Sequence, residues 1–297
     1  MSILKSPLSL NKNEAYIVLE GGGVRGTALA GGLSALEKLN IKPRAVVGTS
    51  AGAIAAAFTA VGCSSNEISQ LMYDKDFKEF LDPVCKIPAL RWLVAQKKQG
   101  LYKGDNFQKW LEEKLSQRLL GTSKGSPLFR DLPIPLAVVA TDIVRKELVL
   151  FSNERTPYEP VSEAVRASMS LPGFFVPVRR GKSILVDGGL VSNFPVWALQ
   201  DKYETQPLPI IGLRIENPYF SPEAHGFLGL AKLIAEATIN ARTALEQLQA
   251  EQSQNCHIIQ LPTLGVNVTD FAISKSKKEE LYIAAQDRTL ARLSKFR

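Results

Sequence analysis

Ala45-Val-Val-Gly-Thr-Ser-Ala-Gly52 decides how this chain is read. An apolar run ends in glycine, a serine stands between two glycines, and the small residues from Ala51 to Val61 follow. That order describes a buried strand, a sharp turn and a helix. The same order occurs once before it. Ala15-Tyr-Ile-Val-Leu19 is an apolar run halted at Glu20-Gly-Gly-Gly23, and Leu29, Leu33, Leu36 and Leu39 then mark helical spacing from Gly26 onward. Two successive strand, turn and helix units predict an α/β fold built on a parallel sheet with crossover helices.

Further along, Ser64-Ser-Asn-Glu67 has capping-box spacing and opens a helix through Ile68, Leu71 and Met72. Asp105 to Leu120 carries Phe107, Leu111, Leu115 and Leu119 on one stripe. The Pro-containing stretch between these helices, Leu81 to Lys103, reads as irregular. Strands are expected at Leu136 to Ala140, Glu147 to Phe151, Ser183 to Val186, Ile210 to Ile215 and His257 to Leu261, and helices at Val161 to Ser170, Leu228 to Gln252 and Lys277 to Lys295. The last of these reads as a docking helix. No repeat or long linker divides the sequence, so residues 1–297 are read as one domain.

Composition narrows the class of protein. With 45% hydrophobic residues the 297-residue chain can bury a full core, which excludes disorder. A net charge of +7 favours an anionic partner such as a membrane surface. The three cysteines are odd in number and far apart, with no pairing that suggests zinc or a redox motif. Residues 1–13 lack the apolar stretch of a secretory signal, and the uncharged run 45–66 is too rich in Gly and Ala for a membrane span, so a cytoplasmic location is expected.

Two glycine turns could carry chemistry. Gly21-Gly22-Gly23-Val24-Arg25-Gly26 fits the dinucleotide pattern, but that reading also wants an acid at the end of the second strand, where Gly48-Thr49-Ser50 stands instead. The triple glycine provides backbone N–H groups that converge on an anionic oxygen at a helix N-terminus. Gly48-Thr49-Ser50-Ala51-Gly52 has the form of a nucleophile elbow, which lifts a serine hydroxyl above the sheet. A base must then be found. His225 and His257 both follow Asp187, so a Ser-His-Asp triad is formally available, yet His257 lies inside an apolar strand and His225 in a loop. Asp187, delivered by Ile184-Leu-Val-Asp-Gly-Gly-Leu190 to the Gly188-Gly189 turn, is the remaining candidate. Standing alone it would read as an ordinary turn residue.

The three motifs, in this order and spacing, resemble those of the patatin-like phospholipases, relatives of plant patatin and cytosolic phospholipase A2. Glu163-Ala-Val-Arg-Ala-Ser-Met-Ser-Leu-Pro172 and Leu190-Val-Ser-Asn-Phe-Pro195 resemble further blocks of the same family, so the likeness runs from about Tyr16 to Leu199. Glu20 departs from it, since many relatives carry Asp there. The resemblance implies a three-layer sandwich with a mostly parallel central sheet and helices on both faces. It also implies Ser50 as nucleophile, Asp187 as base without a histidine, and an oxyanion hole from the backbone of Gly22, Gly23 and Val24 with Arg25 nearby. The expected activity is hydrolysis of a fatty acyl ester through an acyl-serine, on a phospholipid, lysophospholipid or galactolipid, without cofactor, metal or nucleic acid. A dinucleotide-binding oxidoreductase and an inactive lipid-binding scaffold are the competing classes.

The residues add one observation of their own. Val84 to Lys103 holds Lys86, Arg91, Lys97, Lys98 and Lys103 and no acid, interleaved with Ile87, Leu90, Trp92, Leu93 and Val94. Such a stretch suits the headgroup boundary of an anionic bilayer, or else forms a cap packed on the domain.

Overall fold

The computed structural model describes residues 13–199, 208–216, 226–252 and 255–294. Strand β1 (Glu14–Leu19) passes through the turn Gly23–Gly26 into α1 (Thr27–Lys38), and β2 (Lys42–Thr49) passes through Ser50 into α2 (Ala51–Ala60). Helix α3 (Ser65–Asp74) opens on the expected capping box: the Glu67 N–H donates to Ser64 Oγ, and the Ser64 N–H donates to the Glu67 carboxylate. Next come α4 (Pro88–Lys98), β3 (Gly100–Tyr102), α5 (Asp105–Leu120), β4 (Leu136–Asp142), β5 (Glu147–Ser152) and α6 (Val161–Ser168). They are followed by β6 (Gly173–Phe175), β7 (Val178–Arg180), β8 (Ser183–Asp187), β9 (Ile210–Ile215), α7 (Gly226–Gln252), β10 (Cys256–Leu261) and α8 (Lys275–Leu293).

The stretch expected to be irregular, Leu81 to Lys103, instead contains α4 and β3. Pro88 does not break this helix because it occupies the first turn, where its missing N–H would have had no helical partner. Gln99 ends the helix in the left-handed conformation, at φ 62°.

Strands β10, β9, β1, β2 and β4 pair in that order, all parallel, while β8 and β7 close the far side of the sheet in antiparallel pairings. Successive residues of β1 face opposite ways. Ile17 and Leu19 pack with α1, α2 and α8, whereas Tyr16 and Val18 pack with Phe194, Val196, Leu199 and Ala250 of α7. Both faces of the sheet are thereby covered, as a parallel sheet requires, which gives the expected α/β sandwich. Helix α8 does dock on α1, so closely that a Cβ on Gly31 would stand 2.1 Å from the Tyr282 carbonyl oxygen. Among the described residues no helix is long and apolar enough to cross a membrane.

What positions the site is the way β4 is shared. β5 pairs with β4 from Ala137 to Asp142 and so takes one whole edge. β2 pairs with Val46 to Thr49 opposite Leu136 to Val139, and β8 pairs opposite Ala140 to Asp142. A strand has two edges, so β2 and β8 divide the second one between them. They run toward each other along it. Thr49 lies opposite Val139 and Asp187 opposite Ala140, the next residue, and each chain must leave the sheet where it meets the other.

Candidate active site

Leaving the sheet so abruptly sets the backbone at Ser50. Its φ of 53° and ψ of −123° lie in a region that costs a serine about 1–3 kcal/mol, and such strain persists only where neighbours impose it. The neighbours are identifiable. A Cβ on Gly48 would stand 2.3 Å from the Gly52 carbonyl oxygen, and one on Gly52 would stand 2.1 Å from that of Leu19. The turn closes only because both positions are glycine. The Ser50 N–H donates to Ser168 Oγ at 2.8 Å, and Ser168 is fully buried on α6.

Asp187 arrives from the opposite direction at the same level. It is buried, its Oδ1 accepts from the Gly189 N–H at 2.8 Å, and the Ser50 side chain lies close enough to influence its ionisation. Burial pushes its carboxyl up to about 6, against the opposing effect of the Gly189 N–H and the Ser50 side chain. The carboxylate is therefore a stronger base than an exposed aspartate and is still ionised at neutral pH.

The glycine turn after β1 is held by its carbonyl groups. Asn193 Nδ2 donates to the Gly21 carbonyl at 3.4 Å, and Arg25 Nε donates to the Gly22 carbonyl at 3.3 Å. In a trans peptide the N–H points opposite to the C=O, so these contacts aim the Gly22 and Gly23 N–H groups away from Asn193 and Arg25. Both glycines line the same cavity as Ser50 and Asp187. Val24, expected as a further donor, is corrected: its N–H is already given to the Val268 carbonyl at 3.0 Å. Gly23 itself takes φ +57°, and a Cβ there would lie 2.3 Å from the same carbonyl oxygen. Arg25 is buried under the turn, and burial lowers its pKa against the pull of Glu20 and Glu236.

Asn193 and Ser168 lie within the Leu190–Pro195 and Glu163–Pro172 blocks, whose local sequence carries no signal of these contacts. Asn193 also reaches Glu20 Oε1 at 3.2 Å and Thr243 Oγ1 at 3.2 Å, tying the glycine turn to α7. Glu20 accepts from the Ile215 N–H at 2.6 Å and faces Arg214, and burial raises its carboxyl to about 7. These contacts anchor Glu20 to β9 beside the turn.

The cavity encloses about 230 Å³. Its lining joins Gly22, Gly23, Ser50 and Asp187, with Arg25, Asn193 and Glu236, to an aromatic and aliphatic set of Met72, Phe77, Phe80, Phe107, Trp110, Phe174 and Phe271. The rings pack against one another, Phe80 on Phe107 at 5.3 Å and Phe174 on Phe271 at 5.3 Å between centroids. Such a slot accepts an apolar chain and presents its polar terminus to the serine. His257 is not part of the cavity; it lies buried on the edge strand β10. His225 lies outside the described residues.

Residues 17–199 match the family model for patatin-like phospholipase. The chain is 33% identical over 289 residues to the uncharacterized protein YqhO of Bacillus subtilis, covering 92% of this chain and 95% of that one. It is 28% identical over 198 residues to the probable lipid hydrolase 463L of Invertebrate iridescent virus 6, covering 64% of this chain and 66% of the viral protein. Among solved structures, the ExoU–SpcU heterodimer of Pseudomonas aeruginosa superposes with a TM-score of 0.57 at 21% identity, over 98% of this chain. The match spans 52% of that longer chain, and at this identity it speaks for the fold alone. The motif turns, the sandwich and the matched family model lead to one conclusion: the chain belongs to the patatin-like phospholipase family and is a lipid hydrolase.

Proposed function

We propose that the protein hydrolyses the fatty acyl ester of a phospholipid or lysophospholipid through a Ser50-Asp187 dyad. The observation that carries this reading is that the meeting of β2 and β8 on β4 brings Ser50 and Asp187 together in the lining of one aromatic-walled cavity. With the acyl chain among Phe77, Phe80 and Phe107, the ester carbonyl lies at the elbow. Asp187 takes the Ser50 proton as Oγ attacks the carbonyl carbon, and the Gly22 and Gly23 N–H groups hold the oxyanion of the tetrahedral intermediate. Collapse breaks the ester bond, and the leaving alcohol recovers the proton from Asp187. A water molecule, deprotonated by Asp187 in turn, attacks the acyl carbon, and as the acyl–Oγ bond breaks Asp187 returns the proton to Ser50 Oγ, releasing the fatty acid. The whole described chain serves one domain with this single site.

Burial does for Asp187 part of what a histidine does in a triad, by bringing the pKa of the base closer to the working pH. The test is mass-spectrometric mapping of a fluorophosphonate adduct. Ser50 is expected to carry the label, and Ser50→Ala is expected to fold, to remain unlabelled and to turn over no ester. A label at another serine with Ser50→Ala still active would reject the assignment.

A further inference from the structure

We propose that α4, together with the first turns of α7, is the face on which the protein docks to an anionic lipid bilayer, with the cavity held against the membrane. The proposal deepens the hydrolase reading and rests on it for the identity of the substrate. Helix α4 is a helix almost without a core: Ala95 is its one buried residue. Ile87, Leu90, Trp92 and Leu93 stand 56%, 46%, 46% and 62% exposed, a density of large apolar side chains that water does not favour. Lys86, Lys97, Lys98 and Lys103 are exposed around them, and no acid stands between Val84 and Lys103. The alternative of a packed cap, which would bury this apolar set and leave only lysines outside, does not describe the helix.

The position of α4 links this face to the site. Its two ends are stitched together at the base, where the Val84 N–H donates to Leu101 at 3.1 Å and the Lys103 N–H donates to Asp82 at 2.8 Å. From that base, β3 pairs with β6, and the Tyr102 ring lies 5.0 Å from that of Phe174 on the cavity wall. Helix α7 packs on the same β6. One turn apart near its start, Leu230 and Ile234 are 55% and 58% exposed, and the next turns supply Ile239 and Asn240 to the cavity lining. Exposed apolar side chains therefore flank the acyl slot from two elements joined through one short sheet.

A bilayer satisfies all parts of this face at once. Cations meet anionic headgroups, indole and leucine side chains reach the acyl boundary, and an ester-bearing lipid has a short path into the slot. An acidic protein would answer the charge and leave the slot unexplained.

The experiment is co-sedimentation of the full chain with vesicles of phosphatidylglycerol or of phosphatidylcholine, alongside hydrolysis of a short, water-soluble ester. The variants are Lys97→Ala/Lys98→Ala/Lys103→Ala, Leu93→Glu and Ile234→Glu, all at exposed positions where thermal stability serves as the folding control. At low salt the triple variant is expected to bind phosphatidylglycerol vesicles on the order of a hundredfold more weakly, with the difference shrinking as salt is added. Leu93→Glu and Ile234→Glu are expected to weaken binding at every salt concentration. All three should turn over the soluble ester at the wild-type rate. Equal vesicle binding by wild type and variants, or equal binding of wild type to the two lipids, overturns the proposal. So does a lipid-free dimer that Leu93→Glu dissolves without altering vesicle binding, since that assigns the face to a second copy. Wild-type vesicle binding without ester turnover would instead reject the hydrolase reading, so the two failures are distinguishable.

Discussion

The elbow at Ser50 and the excursion that carries α4 are held by opposite means. Around Ser50, backbone approaches backbone so closely that no Cβ fits at Gly48 or Gly52, and even the strained N–H has a buried partner. Helix α4 touches the domain through little more than Ala95 and through the hydrogen bonds at its base. Yet α6 anchors both. Its Ser168 holds the Ser50 N–H, and two residues away its Arg166 donates to the carbonyls of Lys103 and Val176, fixing the root of the excursion. Chemistry that depends on sub-ångström placement sits where the fold over-determines it, and contact with a soft, variable surface is left to an element that little else constrains.

Substitutions should therefore separate the two regions. The largest effect is expected at the buried one. Asp187→Asn should lower kcat by several orders of magnitude, because an amide cannot accept the serine proton, and kcat/KM of the wild type should fall as pH drops below about 6. The same group predicts a stability effect of opposite sign to its catalytic value. Burial raises the carboxyl from 3.8 to about 6, so Asp187 favours the folded state below pH 4, and that contribution is lost as pH rises through 6. Asp187→Asn never ionises. It should exceed the wild type by up to about 3 kcal/mol in denaturant melts at pH 8 and match it at pH 4. A variant less stable than wild type at pH 8 would show that the carboxylate is better compensated than its surroundings imply.

Next in size come the residues that hold the turns. Asn193→Ala frees the Gly21 carbonyl and should lower kcat about a hundredfold with little change in KM, comparable to losing one oxyanion donor. Ser168→Ala leaves the Ser50 N–H without its partner and should lower kcat about tenfold, consistent with an unmet buried hydrogen bond of about 1–3 kcal/mol. Steady-state kinetics on a soluble ester, with melting temperatures as control, distinguish these from mere unfolding; a rise in KM with unchanged kcat would assign both residues to substrate binding. The smallest effect closes the comparison. On a soluble ester the α4 lysine substitutions should change nothing beyond about twofold, and a larger change would mean that the excursion and the elbow are mechanically coupled through α6.

The parts of this site that were legible in the sequence are those encoded locally. A β-type run, a glycine pair and a small-residue helix specify an elbow within a dozen or so residues, and the Asp187 strand is marked in the same way by its apolar run and Gly188-Gly189. What stayed hidden depends on register between distant segments. Nothing near Val24 announces that Val268 will take its N–H, and nothing near Ser168 or Asn193 tells which backbone group each will face. Helix α4 was hidden for a different reason: the Pro-containing stretch Leu81 to Lys103 reads as irregular, whereas Pro88 at the start of a helix is an initiator.

The head-on meeting of β2 with β8 has a consequence in time as well as in space. Ser50 is synthesised well before β4, α6 and β8, and the far half of that β4 edge stays vacant until Asp187 has been made. On the proposed dyad, a growing or truncated chain that stops short of β8 holds the serine without the carboxylate that would serve as its base. The order of residues along the chain thus sets the order in which the two halves of the proposed dyad can come together.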